Sequence, residues 1–485
     1  MGGTRVTEKL PMLVGGKRVL ARDGATLDAV NPANGELLAR FPRGRPEDVH
    51  AAVVVAQEAF PEWRATHPLE RAAVVRRIAD AVEEHADELA RLDVDDNGSP
   101  IREMRNDAHI AASLLRYFAG LALQLRGDTV PTGHDRLDYT LPEPFGVVGR
   151  IIPFNHPLMF AAGRVAAPLV AGNTVVLKPS EHTSLSALRL GELIAGLVPP
   201  GVVNVVTGAG DEAGDALVAH PGVRRLAFIG SVAIGRAIQQ RAATHVVKTV
   251  TLELGGKNPI AIFPDADLDR AVDGALRGMN FTWQGQSCGS TSRLLVHTSL
   301  HDELVERLAA RMEALQSGMP AEESTDTGAI VHRRQYDKVV DYLRIGREEG
   351  ARVVVGGGPA EDDALAGGLF LRPTLFDGVR PDSRLAREEI FGPVLAAMPF
   401  DTYDEAVSIA NGVGYGLTAA VFTRDLATAH RFARDVEAGY VWINDASRHF
   451  PGTPYGGVKD SGIGREEGTE ELLSYVQLKN VNLAF

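Results

Sequence analysis

The amino-acid sequence predicts an α/β protein built around parallel sheets. From Phe145 onward, short runs rich in β-branched residues alternate with stretches of helical periodicity, and a second series of this kind follows Pro259. Strand, helix and strand repeated in this order are typical of parallel strands joined by crossover helices. Such open sheets bind ligands at the carboxyl ends of their strands, so polar residues at those ends are the candidates for function.

The first third of the chain is predicted to be helical. Pro46-Glu47-Asp48 has the composition of a first helical turn. Apolar residues at helical spacing predict one helix over 70–93 and another over 102–123. The first alternating series then predicts strands at 146–152, 174–177, 202–206, 225–229 and 246–254, and helices at 159–170, 184–197, 211–219 and 233–242.

The second series predicts another set of alternating elements. Its strands are expected at 259–262, 293–297, 352–355, 394–399, 418–422 and 440–443, and its helices at 268–280, 299–316, 333–349, 403–410 and 426–436. Two segments fit neither series, because residues 125–142 resemble a hairpin and residues 472–485 resemble a terminal strand. These segments either pair with another subunit or cap the sheet of their own chain.

Composition and charge disfavour several classes of partner. The 485 residues include 50 basic and 63 acidic residues, and the net charge of −13 argues against nucleic-acid and anionic-membrane binding. The most apolar region, residues 146–177, is interrupted by charged residues and prolines, and the N-terminus lacks the apolar core of a signal peptide. Together with the single cysteine, these features favour a cytoplasmic protein.

Cys288 is the only cysteine in the chain, and Gly285 and Gly289 lie on either side of it. A lone thiol can form neither an internal disulfide nor a cysteine-based zinc site, so we expect no metal. Two interpretations remain at this point. The residue is either a thiolate nucleophile for covalent catalysis or a small apolar residue buried in the core.

Two turns at predicted strand ends could bind a nucleotide. The turn Gly230–Gly235 lies between a strand and a helix, where glycine permits close approach of a phosphate, although tight packing explains it equally well. It does not match the G-x-G-x-x-G fingerprint. Lys178 and Glu181 could hold the hydroxyls of an adenosine ribose, or form a surface ion pair. A carboxylate there would repel a 2′-phosphate and favour NAD over NADP.

Two further polar residues have both a catalytic and a structural interpretation. Glu253 stands in an apolar strand end beside two glycines, where burial would raise its pKa towards that of a general base. It could equally be a buried, hydrogen-bonded structural acid. Asn155 lies between two prolines at a strand–helix junction. Its rigid amide suits an oxyanion hole, and it would also suit a helix cap.

Taken in order, these residues resemble the aldehyde dehydrogenase superfamily, in its hydrolytic, non-acylating branch. The resemblance extends from about Asn31-Pro32 to the C-terminus, and each motif is moderately specific whereas the ordered set is very specific. The motifs are Pro153-Phe154-Asn155-His156-Pro157, Leu177-Lys178-Pro179-Ser180-Glu181, the Gly230–Gly235 turn, Leu252–Gly256, Gly285-Gln286-Ser287-Cys288, Glu388-Glu389-Ile390-Phe391-Gly392-Pro393 and Pro454-Tyr455-Gly456-Gly457-Val458-Lys459-Asp460-Ser461-Gly462.

The resemblance implies an α/β, aldehyde dehydrogenase-like fold with three parts. A Rossmann-like NAD-binding domain would comprise 1–123 and 143–254, a catalytic domain 255–455, and a small β oligomerisation element 124–142 and 456–485. Cys288 would be the nucleophile, Glu253 the base, and Asn155 the oxyanion donor together with the backbone N–H of Cys288. NAD, or NADP as a possible alternative, would be held by Ile152, Phe154, Lys178, Ser180, Glu181, Gly230, Ser231, Leu254, Gly255, Glu389 and Phe391.

The resemblance also implies the reaction, which is oxidation of an aldehyde to its acid through a cysteine thiohemiacetal and a thioester. Arg164 and Glu466 would support proton transfer by Glu253. Residues expected near the substrate tunnel are Phe160, Phe281, Trp283, His449 and Tyr455, which favour an aromatic or medium-chain aldehyde. The alternative is a semialdehyde acid whose carboxylate pairs with Arg448. A homodimer or homotetramer is expected from the family.

Some positions depart from the family pattern, and two other functions compete. Phe154 stands where tryptophan is commoner, and Ser287 and Gly289 flank the cysteine differently from many members; both changes affect pocket shape. A cysteine hydrolase would need a histidine base, and no motif pairs a histidine with Cys288. A non-catalytic relic would usually have lost the cysteine, the glutamate or the asparagine, and all three are present.

Overall fold

Two large, mainly parallel sheets organise residues 10–485, which the computed structural model describes. The strands are β1 (Met12–Val14), β2 (Lys17–Val19), β3 (Thr26–Val30), β4 (Leu37–Pro42), β5 (Thr129–Val130), β6 (Arg136–Pro144), β7 (Val147–Ile151), β8 (Thr174–Lys178), β9 (Val203–Val205), β10 (Val223–Ile229), β11 (Thr249–Glu253), β12 (Pro259–Ile262), β13 (Arg293–His297), β14 (Arg352–Val355), β15 (Thr374–Asp377), β16 (Val394–Phe400), β17 (Tyr415–Gly416), β18 (Thr418–Phe422), β19 (Tyr440–Ile443), β20 (Val458–Lys459), β21 (Gly462–Ile463) and β22 (Val476–Ala484).

Helices cover both faces of these sheets, as parallel sheets require. They are α1 (Pro46–Ala65), α2 (Pro68–Glu84), α3 (Ala86–Asn97), α4 (Ile101–Gly120), α5 (Pro157–Gly163), α6 (Ala166–Val170), α7 (Leu185–Ile194), α8 (Asp215–Ala219), α9 (Val232–Ala242), α10 (Leu268–Gly278), α11 (Thr298–Glu313), α12 (Arg333–Glu348), α13 (Arg384–Arg387), α14 (Tyr403–Asn411), α15 (Leu426–Asp435) and α16 (Thr469–Leu473). Short 3-10 or π turns occupy Gly210–Gly214, Phe281–Trp283 and Asp363–Leu365.

The first sheet has the strand order β2-β1-β9-β8-β7-β10-β11-β21. Strands β9, β8, β7, β10 and β11 are parallel, while β1, β2 and β21 join antiparallel at the edges. Strands β7 and β8 are buried along their whole length, because helices pack on both faces. The carboxyl ends of β8, β7, β10 and β11 therefore lie side by side at one edge of the sheet.

The second sheet has the order β14-β15-β16-β13-β12-β18-β19. All of its pairs are parallel except β14 with β15. Apolar residues pack on both of its faces, in two clusters that centre on Phe376 and Phe422. The sheet supports the loop of Cys288, which leads into the central strand β13.

The hairpin and the terminal strand predicted outside the two series are present and pair with each other. Strand β22 runs antiparallel to β6 from Val476↔Pro144 to Ala484↔Arg136, and β5 completes a three-stranded sheet. Several leucines of this sheet are exposed, namely Leu141, Leu478 and Leu483. The tail thus pairs with its own chain through its backbone and leaves apolar side chains on the surface.

The structure corrects the prediction for the N-terminal third. Residues 12–42 contain four strands, β1–β4, where the sequence was interpreted as helical. The helix predicted over 70–93 is two helices separated at His85, whose φ of −106° and ψ of 17° lie outside the helical range. Strand β15 is absent from the prediction. It has only four residues after Pro373, which is too short a segment to show alternation of apolar and polar side chains.

The predicted division into three domains remains a prediction. Strand β21 (Gly462–Ile463) is relevant to this division, because it pairs with β11 in the first sheet. The segment 456–485, assigned to the oligomerisation element, therefore also contributes to the sheet that ends in Glu253. Among residues 10–485, none of the helices has the length and apolar content that a bilayer crossing requires.

Candidate active site

Four predicted site residues lie at the carboxyl ends of neighbouring parallel strands. Lys178 ends β8, Asn155 follows β7, Gly230 follows β10 and Glu253 ends β11. The β-strand topology alone brings them to one edge, although they are separated by up to about a hundred residues in sequence. This edge is where a ligand site is expected in an open α/β sheet.

The loop of Cys288 is held in place by Asn258, a residue that the sequence analysis did not single out. The buried Asn258 amide donates from Nδ2 to the carbonyl oxygens of Cys288 (2.7 Å) and Ser290 (2.9 Å). Its Oδ1 accepts from the backbone N–H of Thr418 at 3.1 Å. Asn258 therefore ties the cysteine loop to strand β18 of the second sheet.

Cys288 lies where two cavities meet. One cavity of about 580 Å³ is lined by Cys288 together with Pro153, Phe154, Asn155, Ile229, Gly230, Ser231, Glu253, Gly255, Gln335, Lys338, Glu389 and Phe391. A second, more open cavity of about 1610 Å³ also includes Cys288, and its wall contains Phe160, Trp283, His449 and Tyr455. The thiol is thus accessible from both sides, as a group acting on two ligands would be.

Burial makes the Cys288 thiol a weak acid in this arrangement. Desolvation raises its pKa to about 12, and the carboxylates of Glu253 and Glu389 act in the same direction. The hydroxyl of Tyr455, with its Oη 3.7 Å from Sγ, lowers the pKa of the thiol. At neutral pH the thiol is protonated, so a thiolate forms only with a base or a positive charge beside it.

Glu253 has the environment of a general base. Its side chain is buried, and desolvation, followed by the negative charge of Glu466, raises its pKa well above 4.5. Within residues 10–485 neither carboxylate oxygen has a hydrogen-bond partner. Buried polar atoms are normally paired, so this carboxyl group is available for a water molecule or substrate.

Arg164 joins the predicted relay residues in one buried ionic network. Its Nε lies 3.1 Å from Glu466 Oε2, and another guanidinium nitrogen lies 2.8 Å from Glu467 Oε1. The third guanidinium nitrogen of Arg164 lies 3.5 Å from Glu471 Oε2. A guanidinium nitrogen of Arg150 also lies 2.5 Å from Glu466 Oε1. Arg164 and Glu466 thus contact each other, and both influence the pKa of Glu253, while their role in proton transfer stays a prediction.

The smaller cavity has polar groups suited to a dinucleotide. Ser231 caps helix α9 and lines the cavity beside Gly230, so the N-terminus of that helix borders the cavity. Lys178 and Glu181 lie outside the lining of this cavity, and Lys178 Nζ lies 3.0 Å from Glu181 Oε2. Glu389 accepts from the Gly256 backbone N–H at 3.1 Å, and a Cβ added to Gly255 would lie 2.1 Å from its carboxylate.

Some predicted ligand residues lie behind the cavity walls instead. Ile152 and Leu254 are buried in the apolar clusters on the two faces of the first sheet. Phe281, expected in the substrate tunnel, is 2% exposed and packs in the core of the second sheet, and it does not line the larger cavity. This placement corrects the substrate role suggested for Phe281.

The sequence profile of the aldehyde dehydrogenase family matches residues 19–481. The chain belongs to the aldehyde dehydrogenase family. Aldehyde dehydrogenase tropH of Talaromyces stipitatus is 46% identical over 94% of this chain and 90% of its own length. Hydroxyisobutyraldehyde dehydrogenase of Mycolicibacterium austroafricanum is 41% identical over 99% and 95%.

Solved structures place this aldehyde dehydrogenase in the same fold. The NAD+ complex of an aldehyde dehydrogenase from Bacillus cereus is 40% identical and superposes with a TM-score of 0.96. The match covers 99% of this chain and 97% of that one. The aldehyde dehydrogenase-like fold predicted from the sequence is thereby confirmed.

Several residues of this aldehyde dehydrogenase site were missed by the sequence analysis. Gln335 and Lys338, on α12, line the smaller cavity, and the Gln335 amide donates to the carbonyl oxygens of Ile390 (2.9 Å) and Phe391 (2.8 Å). Asn258 follows the Gly255-Gly256-Lys257 turn directly. The position of Asn258 directly after that turn could have indicated a role at the site. In contrast, no sequence pattern near Gln335 and Lys338 indicates which face of α12 lines the cavity.

The geometry of the cysteine loop depends on Gly285. We expect Gly285→Ala to lower kcat/KM for an aldehyde by at least about tenfold per folded molecule, because small misplacements of reacting groups cost rate. Gly285 has a φ of +66°, and an added Cβ would lie 2.2 Å from the carbonyl oxygen of Gly392. Steady-state kinetics and thermal unfolding on the same preparation would measure the effect.

Gly350→Ala is the matched control for Gly285→Ala. Gly350 also has a positive φ, of +89°, but no atom lies within 4 Å of an added Cβ. Both variants place alanine in a left-handed backbone conformation, Gly285→Ala should lose more stability because its Cβ also clashes, and only Gly285→Ala should lose activity per folded molecule. Equal kcat/KM values for the two variants would contradict the positioning role.

The contact of Tyr455 with the thiol gives a second prediction. In Tyr455→Phe, loss of the hydroxyl should raise the pKa of Cys288, because that hydrogen bond lowers it. Alkylation by iodoacetamide at about pH 9 should slow by roughly a factor of ten. Tyr440→Phe is the control, since its ring packs 5.7 Å from Tyr455 while its hydroxyl lies 3.5 Å from Thr453 Oγ1. An alkylation profile unchanged in Tyr455→Phe would refute the contact.

Proposed function

We propose that this aldehyde dehydrogenase oxidises an aldehyde to its carboxylic acid with NAD, through a covalent intermediate on Cys288. The observation behind the proposal is the position of the thiol at the junction of two cavities, with Asn155 and Glu253 in the wall of one of them. A nucleophile, an amide donor and a buried carboxyl group within one site are the parts that acyl chemistry requires.

The smaller cavity fits a dinucleotide. Its glycine turn and the N-terminus of α9 suit a pyrophosphate, and the Lys178–Glu181 pair, which lies outside the lining of the cavity, suits a ribose diol. The carboxylate of Glu181 favours NAD over NADP, because it would repel a 2′-phosphate. When bound, the nicotinamide of NAD accepts the hydride that leaves the substrate carbon. The Bacillus cereus relative contains NAD+, which supports this choice of cofactor.

The first chemical role falls to Cys288 and Asn155. Cys288 attacks the aldehyde carbon as the thiolate, its proton having passed to water in the cavity, and the carbonyl oxygen becomes a thiohemiacetal oxyanion. The Asn155 side chain is buried in the cavity wall, and the backbone N–H of Cys288 is a second donor for that charge. One such donor contributes on the order of 3 kcal/mol to transition-state stabilisation. Loss of hydride from the same carbon then leaves a thioester on the sulfur.

Glu253 has the second role, release of the acid. Its raised pKa lets the carboxylate take a proton from a water molecule that attacks the thioester. The Arg164–Glu466 pair then influences how easily Glu253 loses that proton, since both charges act on its pKa. A base in this position also favours hydrolysis of the thioester over its transfer to coenzyme A.

The larger cavity supports an aromatic or medium-chain aldehyde as substrate. Phe160, Trp283 and Tyr455 contribute aromatic surface to its wall. The alternative, a semialdehyde acid bound by Arg448, has weaker support. Arg448 lines the mouth but has 61% of its side chain exposed, and its Nε lies 3.8 Å from Asp445. Its charge is thus already partly compensated.

The three-stranded sheet supports the proposal of a homodimer or homotetramer. Its exposed leucines form an apolar surface of the kind that interfaces cover. Small-molecule aldehyde and NAD are the proposed partners. The net charge of −13 disfavours nucleic-acid and membrane partners, and the single cysteine favours a cytoplasmic protein.

The role of Cys288 is tested by Cys288→Ala. Removal of the sulfur should abolish NADH formation from any aldehyde, because no covalent intermediate can form. Fluorescence titration should show NAD binding within about twofold of the wild type, since the nucleotide-binding residues are unchanged. Full turnover by this variant would rule out the proposed reaction.

The role of Glu253 is tested by Glu253→Gln. Rapid mixing with aldehyde and NAD should show a burst of NADH followed by turnover slowed at least about a hundredfold, because deacylation loses its base. Burial raises the pKa of Glu253, so wild-type kcat should increase as rising pH deprotonates it. The pH profile of Glu253→Gln should lack this increase. A variant with neither a burst nor a changed profile would exclude the role.

A further inference from the structure

One imidazole in the wall of the larger cavity is held by a buried carboxylate and has no part in the proposed chemistry. His156 follows Asn155 directly, and its Nδ1 lies 2.8 Å from Asp107 Oδ2. Asp107, on α4, is 1% exposed in its side chain, while His156 retains 13% exposure and lines the cavity. Both residues line the cavity, and the ring of His156 is the more exposed of the two.

The hydrogen bond to Asp107 determines what the ring can offer a ligand. A carboxylate only accepts, so the hydrogen must lie on Nδ1 of His156. In the neutral ring Nε2 is then an acceptor, and in the protonated ring it is a donor. No hydrogen bond engages Nε2 within residues 10–485, whereas Nδ1 is occupied. The free nitrogen is thus the one available to the cavity.

Two aromatic rings pack against the imidazole, and the carboxyl groups of Asp93 and Glu103 are near enough to interact with it electrostatically. Its centroid lies 5.3 Å from that of Trp283 and 5.5 Å from that of Phe160. A substrate atom that displaces water from Nε2 must replace the lost hydrogen bond, because an unpaired polar group in such a site costs binding energy. This part of the wall therefore combines aromatic contact with an imidazole nitrogen whose direction is set by Asp107.

We propose that His156 selects aldehydes that bear a hydroxyl group, by a hydrogen bond between that hydroxyl and Nε2. The inference rests on the proposed aldehyde oxidation. A hydroxyl donates to the neutral ring and accepts from the protonated ring, so it matches both charge states. A carboxylate matches only the protonated ring, and the negative charge of Asp107 then leaves the pair with no net charge to attract it.

One relative has a name consistent with this selectivity. Hydroxyisobutyraldehyde dehydrogenase of Mycolicibacterium austroafricanum, 41% identical over 99% of this chain, is named for a hydroxylated aldehyde. The inference itself depends on the His156–Asp107 geometry. His449, which also lines the cavity, lies 3.4 Å from Glu467 and is more exposed, at 34%, so it orients a substrate group less firmly.

The test compares aldehydes that differ by one hydroxyl group. We would measure kcat/KM for 3-hydroxypropanal against propanal and for 3-hydroxybenzaldehyde against benzaldehyde, in the wild type and in His156→Phe. The wild type should prefer the hydroxylated member of at least one pair by about tenfold or more, and His156→Phe should bring that ratio close to one. Activity on the unsubstituted aldehyde shows that the variant folds.

Two further variants keep the result interpretable. His156→Gln retains a side-chain acceptor and donor, and it should restore part of the preference that His156→Phe loses. His430→Phe replaces an exposed histidine on α15 and should leave every ratio unchanged. A preference that survives in His156→Phe would overturn the inference, as would an equal loss in His430→Phe.

The remaining outcomes separate this inference from the proposed function. If the wild type oxidises propanal and benzaldehyde as efficiently as their hydroxylated partners, the selectivity is refuted while aldehyde oxidation stands. A highest kcat/KM for succinic semialdehyde that His156→Phe abolishes would show a carboxylate site and overturn the hydroxyl assignment. Absence of Cys288-dependent oxidation of every aldehyde would overturn the proposed function and this inference together.

Discussion

The buried ionic network around Arg164 is the constraint on which the site depends. The guanidinium contacts Glu466, Glu467 and Glu471, all from the C-terminal segment, and Arg164 ends helix α5, about two helical turns after Asn155. Breaking one partner of a buried ion pair costs about 3–5 kcal/mol, because an uncompensated charge remains. The network therefore holds the C-terminal segment against the first sheet, where β21 pairs with β11 beside Glu253.

The burial that removes this network from water also sets the acidity of the reacting groups. Burial raises the pKa of Glu253 and of Cys288, so both side chains hold protons more tightly than in water. The sulfur is then a nucleophile only when its proton can leave, which restricts its reactivity in the absence of ligands. The hydroxyl of Tyr455 opposes this effect, since its contact with Sγ lowers the pKa of the thiol.

Much of the fold and of the site was predictable, because the informative residues lie at strand ends. The strands that end near Lys178, Gly230 and Glu253 are predicted by their runs of β-branched residues. The parallel arrangement of these strands then brings the three residues to one edge of the sheet. The contacts of His156 with Asp107 and of Tyr455 with Cys288 join residues 49 and 167 positions apart, so no local pattern marks them. Phe281 was misplaced because nearness to Cys288 in sequence does not fix side-chain direction: Asn280 and Gln284 have positive φ values and turn Phe281 into the core.

The central claim is that the substrate carbon becomes covalently bound to Cys288, and it can be measured directly. Glu253→Gln mixed with benzaldehyde and NAD would be quenched in acid, digested and analysed by mass spectrometry. The account predicts a benzoyl mass increment on the peptide that contains Cys288, formed at the rate of the NADH burst. NADH formation without that increment, or with the increment on another residue, would contradict it.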